Sequence, residues 1–251
     1  MKNILAFEKI EDYARFEPTI DRLSKKLEEY QHVLEEKYAL STLPKGIVWT
    51  TEELATTVLS TVPIPAYTNK DVIYITPDLE AWRSLFVSQL EGHNLPNILS
   101  FYEGFSENDL LTILAHELTH HSNLFIDDFD DTREDAIWFE EGMCDYLARK
   151  TLLSETRFDE ISKVESKLVE TFKDKYRNYS LDEFGSGSYQ GSLTSIMYNY
   201  WRSFLAVKYL VEVHANNDIT EVFKLYHQWH NGGRKVPLTE FFELDLTETM
   251  V

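Results

Sequence analysis

The stretch His116-Glu117-Leu118-Thr119-His120 constrains this chain most, because its spacing has a chemical meaning only on a helix. Residues four apart on an α-helix lie about 40° apart around its axis, so both imidazoles face the same side. Two neutral histidine nitrogens placed in this way can hold one Zn²⁺ at about 2.0–2.1 Å. Glu117 lies about 60° from His120, at the edge of that face, where it can take a proton from water. The sequence therefore predicts a helix that carries two zinc ligands, His116 and His120, and a general base, Glu117.

A zinc ion held by two histidines needs a third protein ligand, which leaves the fourth position for water. Glu140 and Glu141 are the candidates, in the segment Trp138–Tyr146. Residues 121–140 separate Glu141 from His120, which is enough chain for a helix end, a loop and the start of an antiparallel helix. Either glutamate could then reach the ion.

These two segments resemble the gluzincin metallopeptidases, which include the thermolysin-like and aminopeptidase-like families. The second helix of those enzymes reads roughly W-x-x-E-G-x-x-x-Y, and Trp138, Glu141, Gly142 and Tyr146 fit that frame. The resemblance covers about 30 residues. It implies that Glu141 is the third zinc ligand and that Asp145 is the carboxylate that orients a zinc-bound histidine.

Glu140 remains the alternative ligand, because its distance along the chain from His120 matches the thermolysin-like spacing. Glu140 would place Cys144 instead of Asp145 four residues later, and it would separate the ligand from Gly142. Glu141 is therefore the predicted ligand. Without a metal, both glutamates would be acidic residues that favour the start of a helix.

The resemblance also implies a side chain that stabilises the oxyanion formed during peptide hydrolysis. Gluzincins commonly supply a Tyr or a His from their helical C-terminal part, on a helix that begins Y-x-x-G. Tyr198 fits that layout best, as a second catalytic residue beside Glu117, although Trp201 stands where the family has a small residue. Tyr189 and Tyr200 are the alternatives.

The composition restricts the partners. The chain has 43 acidic and 24 basic residues and a formal net charge of −19, which disfavours nucleic acid and anionic membranes as partners. A peptide or protein is the expected substrate. Cys144 is the only cysteine, so no intrachain disulfide can form, and the apolar run at residues 4–7 is too short for a signal-peptide core. A cytoplasmic localisation is therefore expected.

The predicted fold class is α+β and mostly helical. A small mixed sheet is expected from strands at residues 46–50, 64–67 and 72–75, with Val72–Ile75 as the edge strand that pairs with an extended substrate. Helices are predicted at 18–40, with Pro18 near the start, at about 52–60, from Asp78 to about Leu90, and from a capping start at Ser106 and Asp109 through the zinc motif. Further helices are expected at about 136–152, 159–176, 193–214, 217–229 and 238–243. Loops are expected at Asp127–Asp131 and at Phe184–Ser188.

The predicted organisation has two parts that form one compact catalytic unit. Residues 1–125 would form an N-terminal α/β lobe that ends in the zinc-motif helix, and residues 126–251 a helical lobe with the third ligand. The leading hypothesis is a zinc-dependent metallohydrolase and, within that class, a peptidase. The alternative is a catalytically inactive metal-binding or interaction protein on the same scaffold, which would have no use for Glu117. The substrate and the oligomeric state stay open.

Overall fold

The structure, a computed structural model, describes residues 1–129, 131, 135–176 and 180–244. Asp130, in the predicted acidic loop, lies outside this set. The described residues form one four-stranded sheet and a larger number of helices, which confirms the α+β, mostly helical class. The chain divides into two compact units, one of Met1–Asn123 with Thr151–Leu153 and one of Leu124–Lys150 with Ser154–Val251. None of the described helices has the length and apolar character needed to cross a membrane.

The sheet of the first unit contains β1 (Lys2–Ala6), β2 (Gly46–Thr50), β3 (Ala66–Thr68) and β4 (Val72–Ile75) in the order β1-β2-β4-β3. β1 pairs in parallel with β2, and β2 pairs in parallel with β4. β3 and β4 are antiparallel, joined by a turn in which Asn69 Oδ1 accepts hydrogen bonds from the N–H groups of Asp71 and Val72, at 2.9 and 3.0 Å.

The prediction that Val72–Ile75 is the edge strand is wrong. β4 has a partner on each side, because β2 occupies one of its edges and β3 the other. The edges of the sheet are β1 and the three-residue β3. β1 was not predicted, because Lys2–Ala6 shows no alternation of apolar and polar positions; in the structure its residues are mostly exposed.

Five helices complete the first unit: α1 (Ile10–Lys37), α2 (Glu52–Thr57), α3 (Leu79–Ser88), α4 (Pro96–Glu103) and α5 (Glu107–Thr119). α1 begins eight residues before the predicted start, so Pro18 lies inside the helix instead of near its N-terminus. α1 packs against α5, and its buried side includes Ile20, Leu23, Leu27, Tyr30 and Leu34. Tyr30 Oη lies 2.8 Å from Thr119 Oγ1, which ties the two helices beside the zinc motif.

The second unit contains α6 (Ile137–Leu152), α7 (Glu155–Tyr176), α8 (Leu193–Tyr209), α9 (Ile219–Asn231) and α10 (Leu238–Phe241). α8 continues as one π-helical turn, Leu210–His214. The segment predicted as a loop at Phe184–Ser188 enters a 3₁₀ turn, Ser186–Gln190, and Phe184 is buried in the core instead of lying in a flexible connection. Burial of the Phe184 ring stabilises this segment, although its glycines and serines indicated a flexible loop.

Candidate metal centre

The zinc-motif helix α5 begins where the sequence predicts. The Ser106 backbone N–H and hydroxyl both donate to Asp109 Oδ2, at 2.8 and 2.7 Å, and Asp109 in the first turn also favours the helix dipole. From this start, the apolar side chains of Leu110, Leu114 and Leu118 are fully buried. His120 is the C-cap residue of this helix and keeps helical backbone angles, so the four-residue spacing brings His116 and His120 onto one side.

The two histidines converge. His116 Nε2 and His120 Nε2 lie 3.1 Å apart, and the residues are only 6% and 9% exposed. Two ligands at about 2.0–2.1 Å from one zinc ion, with a tetrahedral angle between them, would lie about 3.3–3.4 Å apart. The pair is therefore spaced as two ligands of one ion would be. Glu117, between them in sequence, is 7% exposed.

Glu141 lies in the first two turns of α6, where two neighbours fix it. Gly142 lets α6 approach α8 closely, since a Cβ at that position would stand 2.3 Å from the Ser203 carbonyl oxygen. The Tyr189 hydroxyl donates a hydrogen bond to Glu141 Oε1 at 3.0 Å, and it lies 3.0 Å from the Tyr200 hydroxyl. The close approach of α6 to α8 thus fixes the backbone at Glu141, and the Tyr189 hydrogen bond fixes its carboxylate.

His116, His120 and Glu141 form a group that can hold a metal ion. Each offers one ligand atom, and these three atoms lie within 4.8 Å of one another. In the described part of the chain this is the one such group of His, Cys, Asp and Glu side chains. Two imidazoles with one carboxylate suit zinc, and three protein ligands are typical of a catalytic zinc site, in which one position stays open.

Glu140, the alternative ligand, is not a member of this group. It is 2% exposed, and its charge acts on Tyr226 of α9, whose pKa is raised by burial and, next, by the Glu140 carboxylate. The two adjacent glutamates therefore have different surroundings.

Residues 97–236 match the peptidase family Peptidase_M9, described as collagenase. The matched region spans more than half of the chain and contains both motif helices, α5 and α6. The chain belongs to this collagenase family. Collagenases of the family are zinc metallopeptidases, in agreement with the general class that the sequence resemblance implied. No curated protein and no solved structure matches this collagenase-family chain significantly.

The carboxylate predicted to orient a histidine, Asp145, has a basic neighbour in this collagenase-family chain. Arg149, one turn later on α6, places Nη2 3.1 Å from Asp145 Oδ2. Its other arm, Nη1, lies 2.9 Å from Glu165 Oε1 on α7. All three side chains are buried or nearly so. Neither Arg149 nor Glu165 was singled out from the sequence, although the four-residue spacing from Asp145 to Arg149 was a detectable signal.

Tyr198, the predicted oxyanion donor, is 3% exposed, and its ring contacts Tyr176 at a centroid distance of 5.5 Å. Arg202 lies over the same ring, at 5.5 Å. The hydrogen bond to the candidate ligand Glu141 comes instead from Tyr189, one of the two alternatives to Tyr198. Tyr200, the other alternative, is hydrogen-bonded to Tyr189. A catalytic role for Tyr198 stays a prediction.

His121 follows the zinc motif but takes part in a different contact. Its Nε2 lies 2.9 Å from Thr68 Oγ1 at the end of the edge strand β3. Burial, with a further contribution from His120, lowers the pKa of His121 to about 4. This neutral imidazole therefore links the end of the motif helix to the edge of the sheet.

Proposed function

We propose that this chain is a zinc-dependent peptidase in which His116, His120 and Glu141 hold the metal and Glu117 is the general base. The observation that carries the proposal is the convergence of three ligand atoms within 4.8 Å of one another. Membership of a family of zinc metallopeptidases supports the same class of reaction.

A zinc ion bound by these residues supplies two effects: it lowers the pKa of a water molecule and polarises the scissile carbonyl group. Glu117 accepts the proton of the attacking water and then passes it to the leaving amine. Its position in the motif keeps it beside both histidines without making it one of the three ligands. Glu117 is 7% exposed.

Tyr189 is the better candidate for the hydroxyl that stabilises the oxyanion. Its hydroxyl is within 3.0 Å of Glu141 Oε1, whereas the described ring contacts of Tyr198 are with Tyr176 and Arg202. The Tyr200 hydroxyl, 3.0 Å away, donates to the Tyr189 oxygen, because the single Tyr189 hydrogen is donated to Glu141, and so holds its orientation. In the absence of substrate the same hydroxyl steadies the Glu141 carboxylate, and its single hydrogen would turn from Glu141 to the oxyanion during the reaction.

The edge strand β3 is the proposed site at which an extended substrate pairs with the sheet. β4 has no free edge, whereas β3 has a strand partner on one side only among the residues that the structure describes, and it packs against α5. Main-chain hydrogen bonds to such an edge hold a peptide with little regard to its sequence. The substrate class is therefore a peptide or an unfolded protein segment, and the family description makes denatured collagen a suitable first protein to test.

The test combines metal analysis with peptide turnover. After zinc loading and gel filtration, the wild type should carry close to one zinc per chain and should cleave members of a mixed peptide library at neutral pH. His116→Ala should lose both properties while it keeps its helical circular dichroism. His32→Ala, which alters an exposed histidine on α1, is the matched control and should keep both.

A wild type that binds no zinc after loading would refute the proposal. A wild type that binds zinc but cleaves nothing in the library would support the alternative, a metal-binding protein without turnover.

A further inference from the structure

A row of charged side chains runs along one face of α6. Glu141, Asp145 and Arg149 follow one another at four-residue spacing, so they lie one above the other on the helix surface. Glu165 on α7 meets the end of this row. The candidate metal ligand is therefore the first member of a line of polar groups that ends two turns away.

Arg149 occupies the centre of a short buried network. It is an ion-pair partner of Asp145 through Nη2, at 3.1 Å, and of Glu165 through Nη1, at 2.9 Å. The exposed fractions of the three side chains are 12% for Asp145, 11% for Arg149 and 5% for Glu165. The guanidinium carbon also lies 4.4 Å from the centroid of the Phe204 ring. A planar guanidinium fixed by two carboxylates and an aromatic ring has little rotational freedom.

The network contains two carboxyl groups, Asp145 and Glu165, and one guanidinium, Arg149, so its charges are not matched one to one. Asp145 and Arg149 alone would be neutral, and Glu165 adds a second buried carboxyl group. Burial raises the pKa of Glu165 to about 7, against the opposing effect of Arg149 and with a further increase from Asp145. Its Oε2 atom is buried and has no hydrogen-bond partner among the described residues. A buried carboxyl group of this kind costs stability, so an apolar residue would serve packing better.

We propose that Arg149 and Glu165 are positioning residues for the metal centre. Arg149 fixes the Asp145 carboxylate with one arm of its guanidinium, and Glu165 fixes Arg149 through the ion pair with the other arm. Asp145 then presents its remaining oxygen in one orientation, which is what a carboxylate that orients a metal-bound histidine requires. This inference rests on the proposed zinc site, and it assigns residues 149 and 165 a role in metal affinity in addition to packing.

Zinc affinity measured in a double-mutant cycle tests the inference. The four proteins are wild type, Arg149→Met, Asp145→Asn and the double variant, each titrated against a chromophoric zinc chelator. Arg149→Met should weaken zinc about 10-fold, the lower end of the loss seen for partners of metal ligands. In the Asp145→Asn background the same change should alter affinity less than about twofold, because Arg149 then has no carboxylate to position.

Glu165 is tested by a conservative and a disruptive change. Glu165→Gln keeps an acceptor for Arg149 and should stay within about threefold of the wild-type affinity, whereas Glu165→Leu should lose about as much as Arg149→Met. Lys150→Met is the matched control, because Lys150 also lies on α6 and forms an ion pair, with Glu212 at 3.0 Å, away from Asp145. It should bind zinc as the wild type does.

A purely structural network would behave differently. It would lower the urea stability of the metal-free protein while leaving the zinc affinity of the folded variants unchanged, or it would weaken zinc equally in both Asp145 backgrounds. Either result overturns the inference. If Arg149→Met does not fold, Arg149→Lys takes its place, since a single ammonium cannot bridge both carboxylates. A wild type that binds no zinc defeats the proposed function itself, whereas a wild type that binds zinc beside equally tight variants defeats only this inference.

Discussion

Gly142 and Ser203 are in contact through their backbones: a Cβ on Gly142 would stand 2.3 Å from the Ser203 carbonyl oxygen and 2.6 Å from its carbonyl carbon. Real Cβ atoms essentially never come so close, so only a hydrogen fits at this point of α6. Because Gly142 follows Glu141 directly, the distance between α6 and α8 sets the position of the candidate ligand. The close approach of Ser203 therefore explains why a glycine follows Glu141.

Gly142→Ala should push α6 away from α8. The free energy of unfolding should fall by about 1–3 kcal/mol, as for other overpacked sites, and zinc affinity should fall because Glu141 moves with the helix. Urea unfolding and chelator competition measure the two effects. Gly104→Ala is the control, since its Cβ would meet its nearest neighbours at an ordinary 3.4 Å. Unchanged stability and zinc affinity in Gly142→Ala would contradict the steric argument.

Glu117→Gln should separate metal binding from chemistry. The amide keeps the size of the side chain and a hydrogen bond to water but cannot accept a proton, so hydrolysis should fall by at least about 10²–10⁴-fold. Zinc content, measured on the same samples, should stay at the wild-type level because Glu117 is outside the three-ligand group. A variant that keeps full zinc and the wild-type rate would remove Glu117 as the base.

Glu141→Gln should weaken zinc far more than Glu140→Gln. Glu141 belongs to the three-ligand group, whereas the Glu140 carboxylate acts on Tyr226. Both substitutions remove one negative charge from adjacent positions of one helix, so each serves as the control of the other. Equal zinc dissociation constants for the two variants, or a greater loss in Glu140→Gln, would return the assignment to Glu140.

Tyr189→Phe should lower kcat by about 10²–10³-fold, the usual loss for one oxyanion donor, and change KM much less. Tyr198→Phe removes a hydroxyl of the same kind at a buried position and should leave kcat within a few-fold of wild type. The comparison needs only a fluorogenic peptide that the wild type cleaves. The reverse order of effects would favour the assignment of Tyr198 made from the sequence.

Glu165→Gln should change how stability depends on pH. Because burial raises the folded-state pKa of Glu165 to about 7, from an ordinary 4.5, the folded protein binds a proton that the unfolded chain releases. The wild type should therefore lose stability, by about 1–3 kcal/mol, as pH rises from about 4.5 to about 7. The variant should lack this loss. Metal-free samples unfolded in urea at pH 5 and pH 7.5 give the difference, and parallel curves for both proteins would contradict it.

The sequence predicted the motif helices because their signals are local. The start at Ser106 and the four-residue histidine spacing both lie within one helix, and both are found in the structure. The order of the strands was not predictable in the same way. β4 is an inner strand because of its neighbours β2 and β3, and β1, which forms the edge beyond β2, is exposed and lies more than 40 residues before it in sequence.

The neighbours of the candidate ligand Glu141 have no local signal in the sequence. Tyr189 reaches Glu141 across 48 positions of the sequence, through a turn whose glycines and serines indicated only a loop. Glu165 looks like an ordinary charged residue of the amphipathic helix α7 until the packing of α7 buries it. Long-range packing decides both contacts, and a single sequence contains no local pattern for either.

The four-residue row of Glu141, Asp145 and Arg149 also limits changes in chain length. One residue inserted between Glu141 and Asp145 would rotate everything after it by about 100° around α6. Asp145 and Arg149 would then leave the side of the helix that Glu141 occupies, even if every residue type were kept. Insertions and deletions among homologous chains should therefore fall before Ile137 or after Leu152, and stay out of residues 141–149.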